Sequence, residues 1–301
     1  MAKKVCRDTI FYAFDAAIPP IYYAEQGEDV TLETHDCFEG QLQSEDQLLS
    51  AVDWERINPA TGPVYINGVK PGDVLRVDLL DIKVAEQAVA LAIPEEGPLS
   101  ELVSESETAV LKIDGGLAVF KDRIQIPIKP MVGVIGVAPK QGRIANGSPG
   151  THGGNMDCAL IVAGTRLYLT AEVEGALFGA GDMHAVMGDG EISGTGAEIA
   201  GELTFRAKTV PMGGLPTPFL ENEDQVATIA SAKTLDEAAK MATANMALFL
   251  TRFANIEVND AAMLMSLAGH LRVCQIVDPL LTMRFEFPKW ILSEYGYQLP
   301  E

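Results

Sequence analysis

Pro71-Gly72-Asp73, followed by Val74-Leu75-Arg76-Val77-Asp78-Leu79-Leu80-Asp81-Ile82, decides the fold class. Proline and glycine set the backbone angles of a turn, and the run behind them alternates apolar with charged positions. A period of two sends successive side chains to opposite faces, so the segment reads as a half-buried β-strand. Upstream, Val64-Tyr65-Ile66 runs into Asn67-Gly68, a strong tight-turn signal, and then Val69. Downstream, Leu111-Lys112-Ile113-Asp114 reaches Gly115-Gly116 and Leu117-Ala118-Val119-Phe120 returns, which predicts a hairpin. Ile124 to Ile128, Met131 to Val137 and Leu167 to Val173 read as further short strands, the second more fully buried than the first.

Helical signals begin only in the last third. Thr234-Leu235-Asp236-Glu237 is a capping box, and Leu235, Ala238, Ala239, Met246, Phe249, Leu250 and Phe253 supply an apolar face behind it. Asn259 or Asp260 is expected to cap a second helix running through Leu267 and Ala268 to Gly269, where His270 would favour the helix end. Arg272 to Val277 reads as a strand before Asp278-Pro279. The pattern predicts an α+β fold, mostly β: a β-sandwich-like body with its helices segregated in the C-terminal third. We expect one domain over residues 1–301, with a possible subdivision into 1–220 and 221–301. Glu95 to Glu107, rich in acid, Ser, Gly and Pro, reads as a mobile loop or insertion.

The 301 residues suffice for a large core, and 48% hydrophobic against 21% charged residues exclude general disorder. With 42 acidic and 22 basic residues the net charge is −20. Such a surface repels phosphate backbones and anionic lipid, so neither nucleic acid nor membrane is an expected partner. No apolar run reaches the ~20 residues of a bilayer span, and Arg7 and Asp8 interrupt any secretory signal core. Cys6, Cys37, Cys158 and Cys274 are widely spaced, without the clustering of a zinc ribbon or disulfide framework. A cytoplasmic protein with reduced thiols is expected.

Chemistry-bearing residues concentrate between Pro149 and Glu191. Pro149-Gly150-Thr151-His152-Gly153-Gly154-Asn155-Met156-Asp157 suggests a turn in which backbone approaches something closely. Asn155 and Asp157, Asp182 and His184, and Asp189 and Glu191 each stand two apart, and so share a face wherever the backbone is extended. Imidazole plus carboxylate is the donor set of a catalytic zinc or similar divalent site, whereas carboxylates with backbone carbonyls would suit calcium. Asp182 and Asp189 also fit as turn residues beside glycine, and His152 as a loop-ordering hydrogen-bonder. No G-x-S-x-G elbow is present. Cys37 and Cys158 each follow an aspartate that would face the other way on a strand, which disfavours either as a nucleophile.

Pro149-Gly150-x-His152-Gly153-Gly154-Asn155-Met156-Asp157 and Glu174-Gly175-Ala176-Leu177-Phe178-x-x-Gly181-Asp182-x-His184-Ala185-x-x-Gly188-Asp189-Gly190-Glu191 resemble the two signature stretches of the acetamidase/formamidase family. Val30-Thr31-Leu32-Glu33-Thr34-His35-Asp36-Cys37, the late Asp260 to Gly269 segment and Val277-Asp278-Pro279 are similar to its flanking segments. The resemblance implies hydrolysis of formamide, acetamide or another short aliphatic amide, a divalent metal (zinc, with calcium as the alternative) and a homo-oligomer. Carried over by position, it nominates Asp36, Asp157, His184 and Glu191 as metal-binding and catalytic residues, with His152, Asp182 and Asp189 as second choices. Glu191 is expected to move the proton. Gly153 and Gly154 are expected to donate to the oxyanion, with Asn155 beside the substrate. Met187 stands where the family pattern leads us to expect glutamine, and His270 where an aspartate is frequent; Thr170-Ala171-Glu172 is less apolar than usual. Two other functions fit the same acidic turns: a non-catalytic metal- or sugar-binding β-sandwich, and a hydrolase of a larger or cyclic amide with a pocket widened by Met187 and the acidic loop.

Overall fold

The computed structural model describes residues 2–47, 49–94 and 97–300. Two large sheets form its body. One has nine strands in the order Lys3–Val5, Asp29–Thr34, Gly201–Val210, Val74–Val84, Arg166–Thr170, Phe219–Glu221, Gln225–Ala232, Leu281–Pro288 and His270–Gln275. The other has eleven, centred on Phe178–His184. Inward side chains from both, among them Leu75, Val77, Leu79 and Phe205 from the first and Val132, Ile135, Phe178 and Ile199 from the second, build one core. Phe178 and Phe205 meet ring to ring at 4.6 Å across it. The β-rich sandwich read from the sequence is therefore the observed architecture.

The deciding strand extends to Val84 and departs from simple alternation in its first half. Leu75, Val77 and Leu79 enter the inter-sheet core, while Val74 joins a second core beneath the helices. Arg76, read as solvent-facing, is buried and paired with Asp78 at 2.9 Å. The reason is tertiary: the C-terminal part of the chain covers the outer face, down to the Pro300 carbonyl that accepts from Arg76. The Gly115-Gly116 hairpin forms in the expected register, with Leu117 opposite Asp114.

Helix α1 (Leu235–Arg252) is capped by Thr234, whose hydroxyl accepts the Glu237 amide. Its Ala242, Met246, Phe249 and Leu250 pack on Phe219, Val226 and Phe287 of the nine-stranded sheet. Helix α2 (Val258–Ala268) starts earlier than expected, with Glu257 rather than Asn259 or Asp260 at the cap. His270 opens a strand rather than closing a helix. A short α3 (Lys289–Glu294), for which the sequence carried no clear signal, follows. Phe219–Glu221 pairs with Gln225–Ala232 across the turn at 222–224, so one sheet spans the boundary at 220–221. Of the segment read as a loop, residues 95 and 96 lie outside the described residues; the rest, up to the strand that starts at Glu107, is turn and coil.

One strand positions the site. Phe178–His184 pairs with Met131–Gly136 along one edge from Gly179 to His184. On the other edge it pairs with Ala60–Ile66 up to Gly181, and with Glu198–Ile199 from Met183 onward. Asp182 occupies the handover, with a left-handed φ of 52°.

Candidate active site

The change of partner at Asp182 opens a cavity of about 140 Å³. Its polar lining includes Cys37, Asn155, Asp182, Glu191, Glu198 and Asp278, and Phe38, Trp54, Ile57, Ile93 and Val277 supply an apolar side. His184 lies fully buried behind it, its Nε2 3.2 Å from Glu198 Oε2, 3.6 Å from Asp182 Oδ1, 3.8 Å from Asp157 Oδ1 and 4.0 Å from Glu191 Oε1. One donor atom each from Asp157, His184 and Glu191 lies within 4.8 Å of the others, and the same holds for Cys37, Asp182 and Glu198.

Local backbone explains the convergence. The strand Gly153–Asn155 pairs with Met131–Gly136 and ends there, so Asp157 leaves it at φ 42°. Glu191 turns in at φ 49° from a loop stitched to the His270–Gln275 strand: the Gly190 amide donates to the Cys274 carbonyl at 2.8 Å, and the Ile276 amide to the Gly190 carbonyl at 3.2 Å. Left-handed φ is strained for residues with a side chain, and such strain concentrates at functional sites. Glycine makes the space. A Cβ on Gly133 would stand 2.5 Å from Asp157 Oδ1 and 2.7 Å from Asp182 Oδ2. One on Gly196 would stand 2.7 Å from His184 Nδ1. The Gly196 amide also donates to Glu198 Oε1 at 2.7 Å, which fixes that carboxylate.

The electrostatics are those of a charge-deficient site. Both oxygens of Asp157, Asp182 Oδ1, Glu198 Oε2 and both ring nitrogens of His184 are buried without a hydrogen-bond partner in the chain. Burying such groups unpaired is costly, and buried charges are ordinarily paired or bound to metal. Burial and the neighbouring Glu191 and Asp182 carboxylates hold Asp157 well above the usual carboxylate range. Glu191 and Asp278 are likewise raised, chiefly by burial. Burial pushes Glu198 up to about 7 against the opposing pull of His184. For His184 burial works downward, but Glu198 and Asp182 outweigh it and raise it well above its ordinary value. The Cys37 thiol is raised by burial and by Glu198 and Asp182, so without a cation it is no ready nucleophile. Each unpartnered atom is a candidate ligand, and imidazole, carboxylate and thiol together suit zinc or a similar divalent ion.

Of the residues read from the sequence, Asp157, His184, Glu191 and Asp182 meet here, and Asn155 lines the cavity with its Oδ1 unpartnered. Asp36 does not join them. Its Oδ1 accepts the amides of Phe38 and Gly40 at 2.9 and 3.1 Å, closing a turn that presents Cys37 to the cavity instead. His152 is buried edge-on to Phe14 at 5.3 Å. Asp189 makes a bidentate pair with Arg284, 2.8 Å on each oxygen. At Gly153 and Gly154 the missing side chains admit the Ile135 and Ser148 carbonyls, and the Gly153 amide donates to the Gly150 carbonyl. Met187 lines a neighbouring hollow with Ala90 and Phe120, which shares Glu191 and Thr195 with this cavity. Sequence reasoning missed Glu198, Asp278, Gly133 and Gly196, and weighed Cys37 only as a nucleophile. Asp278 lies in a segment already noted, and Gly196 and Glu198 close a glycine-rich stretch from Gly188, the only local signal they carried.

Comparison with known proteins identifies the family. The Acetamidase/Formamidase family profile matches residues 3–148 and 144–279. An acetamidase structure from Bacillus halodurans is 42% identical, with a TM-score of 0.96 over 98% of this chain and 100% of that one. A structure from Thermoanaerobacter tengcongensis, described as an acetamidase/formamidase, is 40% identical, with a TM-score of 0.96 over 99% of each chain. A protein of Schizosaccharomyces pombe named as a formamidase is 28% identical over 65% of this chain, and the match spans 63% of its own length. On the profile match and these identities, the chain belongs to the acetamidase/formamidase family.

Proposed function

We propose that this chain hydrolyses the C–N bond of short linear amides, formamide or acetamide above all, to the carboxylic acid and ammonia, with a divalent metal. The observation that carries the reading is the convergence of unpartnered buried carboxylates and His184 on one small cavity. Asp157, His184 and Glu191, with Asp182, Glu198 and Cys37 alongside, would hold the cation, and the charge they accumulate fits zinc better than calcium because imidazole and sulfur are among the donors. When bound, such a cation polarises a carbonyl and lowers the pKa of water from 15.7 toward about 7.

The chain's own groups do the rest. Asn155 Oδ1 and Asp278 Oδ2 are buried, unpartnered acceptors in the cavity wall and suit the two N–H bonds of a primary amide. A substrate seated there turns its acyl group to Phe38, Ile57, Ile93 and Val277. Glu191 takes a proton from the attacking water and returns it to the departing nitrogen, so that ammonia leaves rather than amide anion. A cavity close in size to one that accommodates benzene (about 150 Å³) is ample for amides of a few heavy atoms.

The family's relatives support the reaction class. The partner is a small neutral molecule. Among the described residues no helix is long and apolar enough to cross a membrane, and the cysteines are free thiols, as in a reducing compartment such as the cytoplasm. Exposed Met263, Leu267, Leu271 and Trp290 around α2 and the edge strand His270–Gln275 support a homo-oligomer, which sedimentation would test.

Ammonia release from formamide, acetamide and propionamide tests the reading, with untreated protein compared with chelated protein re-supplied with zinc, manganese or calcium. Activity lost on chelation and restored by one cation is the expected result. Activity indifferent to chelation would overturn the metal's part, and silence with every cation would return the chain to the binding-protein reading.

A further inference from the structure

A second, larger chamber of about 620 Å³ adjoins the inner cavity and shares Trp54, Ile57, Asn58 and Asp278 with its wall. Tyr12, Arg143, Ser148 and Pro279 line its outer part. The shared residues therefore stand between the inner cavity and the larger outer chamber. Trp54 is the largest of them, and its side chain is 52% exposed.

The partition is held rigidly. Trp54 opens a single helical turn, Trp54–Arg56, whose cap Asp53 accepts the Glu55 amide at 3.1 Å. Gln41 clamps the turn from both sides: its Oε1 accepts the Asp53 amide at 2.8 Å, and its Nε2 donates to the carbonyls of Asp53 and Arg56 at 3.4 and 3.3 Å. Arg56 adds a two-pronged pair with Glu39, 3.0 and 2.6 Å, and Glu39 also holds the Tyr12 hydroxyl. Beneath the turn, Phe38, Leu42, Leu49 and Val52 form a separate small core with Val89 and Leu91, against which Ile57 and Ile93 pack. A wall fixed by backbone bonds on both flanks yields little to an oversized ligand.

We infer that Trp54, seconded by Ile57, is the stop that limits acyl-chain length. It divides short acyl groups, which end inside the inner cavity, from longer unbranched or aryl groups that would run through the partition into the outer chamber. The inference rests on the proposed amide hydrolysis for its substrate, and on the two chambers and the clamped turn for its geometry. With the indole removed, the compartments become one continuous channel, and the carboxylate cluster remains untouched.

The test is a series of unbranched primary amides from acetamide to hexanamide, with benzamide, in wild-type, Trp54→Ala, Trp54→Phe and Gln41→Ala protein. Removing a steric stop is worth about 10- to 200-fold per pocket position in discrimination. The kcat/KM ratio of hexanamide to acetamide is therefore expected to rise at least about tenfold in Trp54→Ala. It should rise less in Trp54→Phe and in Gln41→Ala, which loosens the wall without removing it. A ratio unchanged in Trp54→Ala would overturn the inference, whatever the absolute rates. A readout without turnover separates this outcome from failure of the proposed reaction. Trp54 and Trp290 are the chain's two tryptophans, so Trp290→Phe protein reports Trp54 emission alone. Titration with propionamide, whose short acyl chain ends against the indole, should shift that emission, and no shift up to the amide's solubility would sink the assignment even if no amide were hydrolysed.

Discussion

His184 and Glu198 are register partners on adjacent antiparallel strands, and their side chains turn to the same side, with Nε2 and Oε2 3.2 Å apart in a fully buried setting. Residues directly opposite in such a pair have close Cβ atoms, so the contact follows from strand pairing and needs no loop to arrange it. Glu198 is also fixed by the Gly196 amide on its other oxygen. Glu198→Gln keeps the shape and removes the charge. It should lower kcat/KM by about 100-fold or more, the usual cost of a positioned charged group, with the melting temperature of the chelated protein unchanged or higher because one buried charge is gone. A near-normal rate would remove Glu198 from the site.

Cation binding should depend on pH in a stated direction. Burial pushes Glu198 up to about 7, and Asp157 and Glu191 are also raised. These groups must lose protons to bind a cation, so affinity should climb as pH rises through about 7, with proton release. The sign for chelated protein is opposite. A carboxyl raised in the folded state makes stability fall as pH climbs from the ordinary carboxylate range to about 7, since only the folded state still holds the proton. Calorimetric titration with zinc at about pH 6 and pH 8, in buffers of differing ionisation enthalpy, would count the protons. Equal affinity at both would contradict the assignment.

Gly133 carries no functional group, yet the site depends on its lacking one. A methyl there would press on Asp157 and Asp182 at 2.5 and 2.7 Å, and neither carboxylate sits on a flexible stem. Gly133→Ala should cut activity and zinc affinity at least about tenfold, the scale of disturbing a metal's supporting shell. A crystal structure of the variant with both carboxylates in place and full zinc affinity would refute this.

Asp189 acts at one remove. It tethers the loop that delivers Glu191 through its bidentate pair with Arg284, itself bonded to Glu286 at 2.7 Å. Asp189→Asn leaves the buried Arg284 short of one charged partner. The expected cost is about 1–3 kcal/mol of stability, with a fall in kcat that raised zinc should partly restore, because a bound cation would hold Glu191 in place. Loss of activity beyond rescue by zinc would instead place Asp189 among the ligands.

His152 offers a pH test outside the cluster. Burial lowers it to about 4 from its ordinary value near 6.5. A depressed histidine contributes stability that is present above its unfolded pKa and lost as pH falls through the folded one, here from about 6.5 to about 4. The loss is of order 3 kcal/mol at about 1.4 kcal/mol per unit. His152→Phe keeps a ring against Phe14 and removes the proton site, so the difference in unfolding free energy between variant and wild type should grow in the variant's favour over that window. A constant difference would show that His152 does not titrate there.

Asp157, Asp182, His184 and Glu191 were legible because they stand in two dense local motifs and their chemistry is local: an acid or imidazole two residues from another, beside glycine. Asp36, Asp189 and His152, nominated from the family resemblance, stand outside the cluster. A carboxylate that closes a turn or meets an arginine looks, in a sequence, like one that binds an ion, and Arg284 lies far along the chain from Asp189. Asp36 and Cys37 lie in the turn beyond the strand that ends at Thr34, and it is the cysteine that lines the cavity.

By itself the sequence determined the strand and helix periods, the capped helix at Thr234, the sandwich class and the family, because backbone propensity, side-chain periodicity and signature motifs are properties of neighbouring residues. The tertiary structure alone decided that Phe178–His184 changes partner at Asp182, that Glu198 faces His184, that Gly133 leaves room beneath two carboxylates, and that Trp54 stands between two chambers. Those facts depend on register between strands distant in sequence and on volume left empty, and neither is written in the order of the residues.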